Sequence, residues 1–407
     1  MNEIKGEFYL IKLLKKIFVL LYIIIIINSS LYLINNFKII DKIKNLIVDS
    51  NFIEENYVEV KHDNLKFDKK RNLIHIVLES VETSMSSKEN GGAFDNNYIP
   101  KLTELSKEYT SFSTSIGGGY KSAPATGWTV ASLVAQTSGI PLYTKRGLEN
   151  SMGTYDEFLP GVYSLGEILE KEGYNQTFLL GSSSSFGGRD KYFTQHGNYK
   201  IKDYDYAIKK GLIPSDYHVF WGYEDSKLYK FAKDELKNLS NKDEPFNLTM
   251  LTVNTHFTDG YYEDYYEKKF DTQYENVIYN SDKDVYNFVK WIMKQDFYKD
   301  TTIVITGDHP TMQNSFFDNV DKNYQRTVYN VFINSAVKPE KENNRLFYTM
   351  DMFPTILASM GVQIKDNRLA LGTNLFSKEK TFYEEYGEES VDKQLSSQSG
   401  YYYKKFY

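Results

Sequence analysis

The chain has 407 residues, 41% hydrophobic and 25% charged, an ordinary globular balance with room for one large domain and appendages. Its net charge of −6 lacks the basic excess of nucleic-acid binders, so no nucleic-acid partner is expected. It has no cysteine, which excludes disulfides and thiolate metal sites but does not decide location, because an exported protein can do without cysteine.

At the amino terminus Lys12, Lys15 and Lys16 precede an aliphatic run over 17–27, and apolar character resumes over 31–34 after Asn28-Ser29-Ser30. About 17–25 apolar residues cross a bilayer. The basic flank keeps the first residues inside and sends the rest outside, although Lys38, Lys42 and Lys44 weaken the asymmetry. No Ala-x-Ala-like cleavage site follows, so a signal anchor is favoured over a cleaved signal peptide. The expected order is a cytoplasmic N-terminus over 1–16, a transmembrane anchor over 17–34 and a charged linker over 35–70. The main domain is expected over 71–376, with a polar, tyrosine-rich extension over 377–407 packed on it. The protein is expected at the cell membrane, single-pass, with its main domain outside the cytoplasm.

From Asn72 onward strands and helices alternate. The pattern predicts strands over 72–78, 175–180, 246–253, 301–306 and 328–333. It predicts helices over 101–109, 126–136, 163–172, 224–239, 276–295 and 351–360. Alternation of this kind gives an α/β fold, a mainly parallel sheet with helices on both faces. Sites in such sheets lie outside the carboxyl ends of the strands.

Two strand ends carry chemistry. The run Thr302-Ile-Val-Ile-Thr-Gly307 ends abruptly and delivers Asp308 and His309 side by side. The run Asn72–Leu78 ends in Glu79, where an unpaired carboxylate is costly. Carboxylate oxygen and imidazole nitrogen suit a divalent cation, so Glu79, Asp308 and His309 are candidate ligands of one ion. The bland alternatives are a solvated glutamate and a salt-bridged Asp-His pair. Next, the run Gly117-Gly118-Gly119 leads through Ser122-Ala-Pro-Ala to Thr126, at an expected helix start. A helix amino terminus receives phosphate well. Thr126 is therefore either an N-cap or a nucleophile, and the residues alone favour the cap. The nucleophile reading requires Thr126 to reach the same ion as Glu79, Asp308 and His309, since a metal activates a hydroxyl. His256 follows the strand over 246–253 and is placed to contact a phosphate or protonate a leaving alkoxide, or is structural. Arg189 follows strand 175–180 and a small-residue loop, and is either a phosphate clamp or a surface ion-pair partner of Asp190 or a neighbouring acid.

Several segments resemble the phosphoglycerol transferases of the alkaline phosphatase/sulfatase superfamily, which include enzymes that decorate periplasmic glucans and the lipoteichoic acid synthases. They are Ile-Val-Leu-Glu79-Ser, Ala-Thr126-Gly-Trp-Thr-Val-Ala-Ser-Leu-Val-Ala-Gln-Thr-Ser-Gly-Ile-Pro-Leu, Asn-Thr-His256-Phe and Thr-Gly-Asp308-His309. Tyr329–Ser335, Met350–Leu357 and Leu371–Phe376 continue the match in family order. The resemblance covers roughly residues 70–390, and the Thr-Gly-Trp-Thr form is nearest the glucan-modifying branch. It implies an alkaline phosphatase-like fold and one divalent ion, Mn or Mg with Zn as the alternative, held by Glu79, Thr126, Asp308 and His309. Thr126 would attack the phosphorus of an anionic phospholipid such as phosphatidylglycerol, and a glycan or polymer acceptor would then take the phosphoglycerol group. His256 and Arg189 would hold the phosphoryl oxygens.

Two departures stand out. Gly187 occupies the position just before Arg189 where the lipoteichoic branch has tryptophan, and at most one membrane span is expected where many relatives carry several. Phosphoethanolamine transfer shares the threonine logic, but its lipid A branch usually carries several cysteines. A sulfatase needs Cys/Ser-x-Pro-x-Arg, and Ser122-Ala-Pro-Ala-Thr126 ends on the wrong residue. A phosphodiesterase would use water as acceptor, and a non-catalytic scaffold would be expected to have lost a ligand.

Overall fold

The computed structural model describes residues 2–36, 49–113, 118–145, 147 and 149–407. Lys38, Lys42, Lys44, Gly117 and the linker residues 37–48 lie outside the described residues. A helix runs over Asn2–Asn36, and its Lys12–Ser30 stretch is long and apolar enough to cross a membrane.

In chain order the strands are β1 (Leu65–Phe67), β2 (Asn72–Leu78), β3 (Asn175–Leu180), β4 (Lys200–Lys202), β5 (Phe246–Leu251), β6 (Thr301–Gly307), β7 (Asn330–Ile333), β8 (Val362–Ile364), β9 (Arg368–Leu369) and β10 (Gly372–Thr373). Six form the central sheet, in the order β4-β3-β5-β2-β6-β7. β7 alone runs antiparallel, to β6, and the other neighbours are parallel. A parallel return needs a crossover element. The 308–329 connection has only the short turn Asn314–Phe317, so β7 comes back in the opposite sense.

The strands are buried on both faces, which is why they read as continuous apolar runs rather than alternating ones. Leu73, Val77, Phe178, Leu180 and Val304 join one core with the helices Thr129–Ser138, Leu165–Lys171 and Met352–Ser359. Ile74, Ile76, Leu78, Leu248 and Ile303 join the other with Pro100–Glu108, Asp225–Ser240 and Gln273–Ile292. The Gln273–Ile292 helix starts before the expected 276 because Thr272 and Glu275 form a capping box.

The linker expected over 35–70 needs correction for residues 49–70. Phe52, Ile53, Val60 and Leu65 are buried in the core, and β1 pairs with β8. Ser50 N donates to Gln398 O at 2.7 Å. At the other end Val391, Leu395, Tyr402 and Phe406 are buried in the same core, and the Tyr402 hydroxyl donates to Pro141 O at 2.8 Å.

Candidate active site

Register builds the site. β2 and β6 pair with Leu78 opposite Gly307, so the next residues, Glu79 and Asp308, leave the sheet side by side. Gly307 is required by space: a Cβ there would lie 2.0 Å from Val81 O and 2.5 Å from a Val328 methyl. Ser80 turns the chain at φ 58, and its N–H donates to Asp308 Oδ1 at 2.7 Å.

One ligand atom each from Glu79, Asp308 and His309 lies within 4.8 Å of the others, and all three side chains are buried. His309 Nε2 is 3.7 Å from Glu79 Oε1 and 3.3 Å from Asp308 Oδ2. His309 Nδ1 donates to Pro310 O at 2.9 Å, so in the neutral ring the lone pair is on Nε2, facing the carboxylates. Asp308 Oδ1 accepts N–H groups from Ser80 and His309, each at 2.7 Å. Its Oδ2 is buried and has no hydrogen-bond partner. A buried carboxylate oxygen is costly without a partner, and here it faces His309 Nε2 at 3.3 Å and a second carboxylate.

The electrostatics agree. Burial, and then the Glu79 charge, push Asp308 up to about 7. Burial works against charge on Glu79 as well, but the positive charges of His309 and His256 and a hydrogen bond from Ser80 outweigh it and hold Glu79 below its ordinary value. Burial disfavours charge on His309, yet Asp308 and Glu79 raise its pKa. Two buried carboxylates converging on one imidazole lone pair are a hard-to-borderline donor set that fits one divalent cation.

The threonine is where sequence and structure part. Pro124 and Ala125 (φ 59) make a turn in which Thr126 N donates to Ala123 O at 3.1 Å. The Thr126 hydroxyl donates to the same carbonyl at 2.8 Å and meets Thr349 Oγ1 at 3.2 Å. Thr126 is fully buried, and none of its hydrogen bonds goes to Glu79, Asp308 or His309. After it Gly127 and an extended Trp128 (φ −142, ψ 159) delay the helix, which begins at Thr129 rather than 126. Thr129 is the threonine at the cluster: its hydroxyl lies 3.3 Å from Glu79 Oε2 and 3.4 Å from His309 Nε2. It is half-buried, and its helix has no side-chain N-cap, leaving free N–H groups beside it. Expecting the helix to start at Thr126 put the candidate hydroxyl one turn too early.

The same helix explains further residues that the sequence reading passed over. Ser132 and Gln136 follow Thr129 by three and seven positions and so share its face. Ser132 Oγ donates to Asp308 O at 2.5 Å, and Gln136 Nε2 donates to Gly307 O at 3.1 Å. That spacing was the available signal. Buried Glu82 accepts from Thr311 N at 2.8 Å and from Arg326 Nε at 2.9 Å, which fixes the loop after His309. No sequence pattern announced that pair.

Arg189 is buried. Its guanidinium donates to Phe186 O at 3.1 Å, to Ser183 O at 2.8 Å and to Ser182 Oγ at 3.3 Å. Among the described residues no carboxylate lies within ion-pair distance of it, so the ion pair with Asp190 is absent. Burial lowers its pKa to about 10, opposed by the charges of Glu79 and Asp203; the group stays cationic with its charge unmatched nearby. His256 is half-buried. Its Nδ1 donates to Phe257 O at 2.5 Å, and its ring packs 4.8 Å from Trp221.

A sulfatase family model matches residues 71–362. The chain belongs to the sulfatase family. It is 30% identical over 295 residues to phosphoglycerol transferase I of Xanthomonas campestris pv. campestris, covering 71% of this chain and 40% of that protein. It is 30% identical over 322 residues to phosphoglycerol transferase I of Escherichia coli O127:H6, covering 76% and 39%. The chain thus spans about 40% of the length of these relatives. Among solved structures, the lipoteichoic acid synthase LtaP from Listeria monocytogenes aligns with TM-score 0.62 at 14% identity, covering 88% of this chain and 97% of that one. An alkaline phosphatase superfamily protein from Vibrio parahaemolyticus aligns with TM-score 0.60 at 20% identity, covering 77% and 75%. These likenesses fix the fold as alkaline phosphatase-like.

Proposed function

We propose that the chain transfers a phosphoglycerol group from an anionic phospholipid, phosphatidylglycerol, to a glycan or polymer acceptor of the cell envelope, with Thr129 as the nucleophile. The observation that carries this reading is the Thr129 hydroxyl, within 3.4 Å of both Glu79 and His309 at an uncapped helix start. The curated relatives' name, phosphoglycerol transferase I, supports phosphoglycerol as the group moved.

Glu79, Thr129, Asp308 and His309 would hold one divalent ion, Mn or Mg with Zn as the alternative. When bound, the ion lowers the pKa of the threonine hydroxyl and offsets phosphoryl charge. The chain's own groups do the rest. Thr129 Oγ attacks phosphorus, its proton passes to solvent, and the bond from phosphorus to the diacylglycerol oxygen breaks. That oxygen takes up a proton, and His256 Nε2, unengaged among the described residues, is suited to supply it. A glycerophosphoryl-threonine remains. An acceptor hydroxyl then attacks the same phosphorus and releases Thr129. The unmatched Arg189 cation and the free N–H groups of the Thr129–Ser138 helix offset phosphoryl charge that shifts in the transition state. The Asn2–Asn36 helix would anchor the chain, placing the domain outside the cytoplasm beside its lipid donor.

The test uses the full chain in nanodiscs containing phosphatidylglycerol or phosphatidylethanolamine, with diacylglycerol release measured with manganese and after chelation. Release from phosphatidylglycerol, lost on chelation, supports the reading. Release from phosphatidylethanolamine alone would make the group phosphoethanolamine. Release from neither, with manganese bound, would overturn it.

A further inference from the structure

Beside the buried cluster is a surface of opposite character. Phe186, Trp221 and Phe257 are 50%, 41% and 39% exposed. Single exposed apolar residues need no explanation, but a contiguous patch does. These rings are contiguous. Phe186 and Trp221 centroids are 6.0 Å apart, Trp221 and His256 4.8 Å, and His256 and Phe257 5.1 Å. The row connects the group assigned to phosphoryl charge with the one assigned to the leaving oxygen: the Arg189 guanidinium lies 5.7 Å from the Phe186 ring centre, and His256 is within the row itself.

Trp221 is presented by a tight turn. Val219 and Gly222 exchange both backbone hydrogen bonds at 2.9 Å, and Tyr223 N ties the turn to Gly181 O at the end of β3. Phe220, between them, is at φ 52, a conformation unfavourable for a bulky residue. The fold therefore accepts backbone strain and leaves a tryptophan in solvent against His256. A side chain at position 187 would be strained. Gly187 is at φ 68, and Asn150 Oδ1 and a Val130 methyl lie 3.2 and 3.3 Å from where a Cβ would be. Aromatic surface next to Arg189 comes from Phe186 and Trp221 instead.

We propose that this row is a sugar-stacking platform that holds a ring of a neutral glycan acceptor against the phosphothreonine; its role as acceptor site rests on the transferase reading above. The π face of an aromatic ring is electronegative, and the C–H face of a sugar ring is its complement. The polar groups around the row match hydroxyls. Ser183 donates to Asp205 at 3.3 Å on one side, and Gln313 donates to Asp259 at 2.9 Å on the other. Exposed carboxylates accept hydrogen bonds from sugar hydroxyls and have no counterpart on acyl chains, which argues for a glycan over acyl chains.

The full chain in phosphatidylcholine nanodiscs is titrated with cellotetraose, laminaritetraose and maltotetraose, read by tryptophan emission and saturation-transfer NMR. At least one tetrasaccharide is expected to bind saturably, with Kd about tenfold higher in Trp221→Ala, a smaller rise in Phe186→Ala and most affinity restored in Trp221→Phe. The acceptor KM in phosphoglycerol transfer should rise in parallel. Equal sugar affinity in wild type and Trp221→Ala, or no sugar binding, overturns the platform. Quenching of Trp221 emission by brominated lipid without any sugar response overturns it in favour of a bilayer contact. Sugar binding that depends on Trp221, in a chain that releases no diacylglycerol, supports the platform while the transferase reading fails.

Discussion

The two halves of the candidate site are built by different means. The strand-end half, Glu79, Asp308 and His309, is fixed by one register: Leu78 opposite Gly307. The helix half, Thr129 with Ser132 and Gln136, is fixed by where a helix starts. A register spread over seven paired residues is hard to shift, because a one-residue slip turns every side chain over. A helix start moves with one turn, and here the turn at Ala123–Thr126 moves it by three residues.

The largest predicted effect tests that difference. Thr129→Ala should lower diacylglycerol release by about a thousandfold or more, as loss of a nucleophile does. Thr126→Ala should leave release within about threefold and cost roughly 1 kcal/mol of stability, read by thermal unfolding, through the lost bond to Ala123 O. The reverse order of effects would return the role to Thr126. Next, Asp308→Asn should weaken manganese binding, measured by calorimetry, by about a hundredfold or more; an unchanged affinity would remove Asp308 from the ligand set. Ser132→Ala should weaken metal binding or transfer by roughly tenfold, since it only steadies the Asp308 carbonyl. Its effect should not add to that of Asp308→Asn if both act through one group.

Gly307→Ala tests the strand-end half through stability. With Val81 O 2.0 Å from the new Cβ, backbone must shift, at a cost of about 2–4 kcal/mol; unchanged unfolding would mean the strand end yields easily. The last effect is a pH slope. His75 is buried against Gln136 and Thr306, each at 3.2 Å, and burial lowers its pKa to about 4. Between about pH 4 and 6.5 the unfolded chain binds this proton and the folded chain does not, so stability from this group falls as pH falls, by at most about 1.4 kcal/mol per unit. His75→Gln should flatten that part of the stability profile, and an unchanged slope would contradict the assignment.

The sheet and the cluster at its strand ends were legible because buried parallel strands read as apolar runs that end in polar residues. Asn72–Leu78, Asn175–Leu180 and Thr301–Gly307 stand within one residue of their expected ends. Glu79, Asp308 and His309 converge. The turn Ala123-Pro124-Ala125-Thr126 was harder to read. Thr126 has the residue type of a cap and follows a proline, but Ala125 enters the left-handed region without being glycine, which no composition rule marks. The core role of residues 49–70 was hidden for another reason. Phe52, Ile53, Val60 and Leu65 are scattered among charged residues, and their burial depends on the carboxyl-terminal helices and β8, more than 290 residues later in the chain. The Glu82–Arg326 pair, 244 residues apart, is likewise set by tertiary contact alone.

The central claim is that Thr129 is the hydroxyl that takes the phosphoryl group. It is tested most directly by mass spectrometry of the full chain, digested after brief incubation with phosphatidylglycerol and manganese in the absence of acceptor. Fragmentation of the peptide spanning both threonines is predicted to locate a glycerophosphoryl group on Thr129. The same group on Thr126, with Thr129 unmodified, would contradict the account.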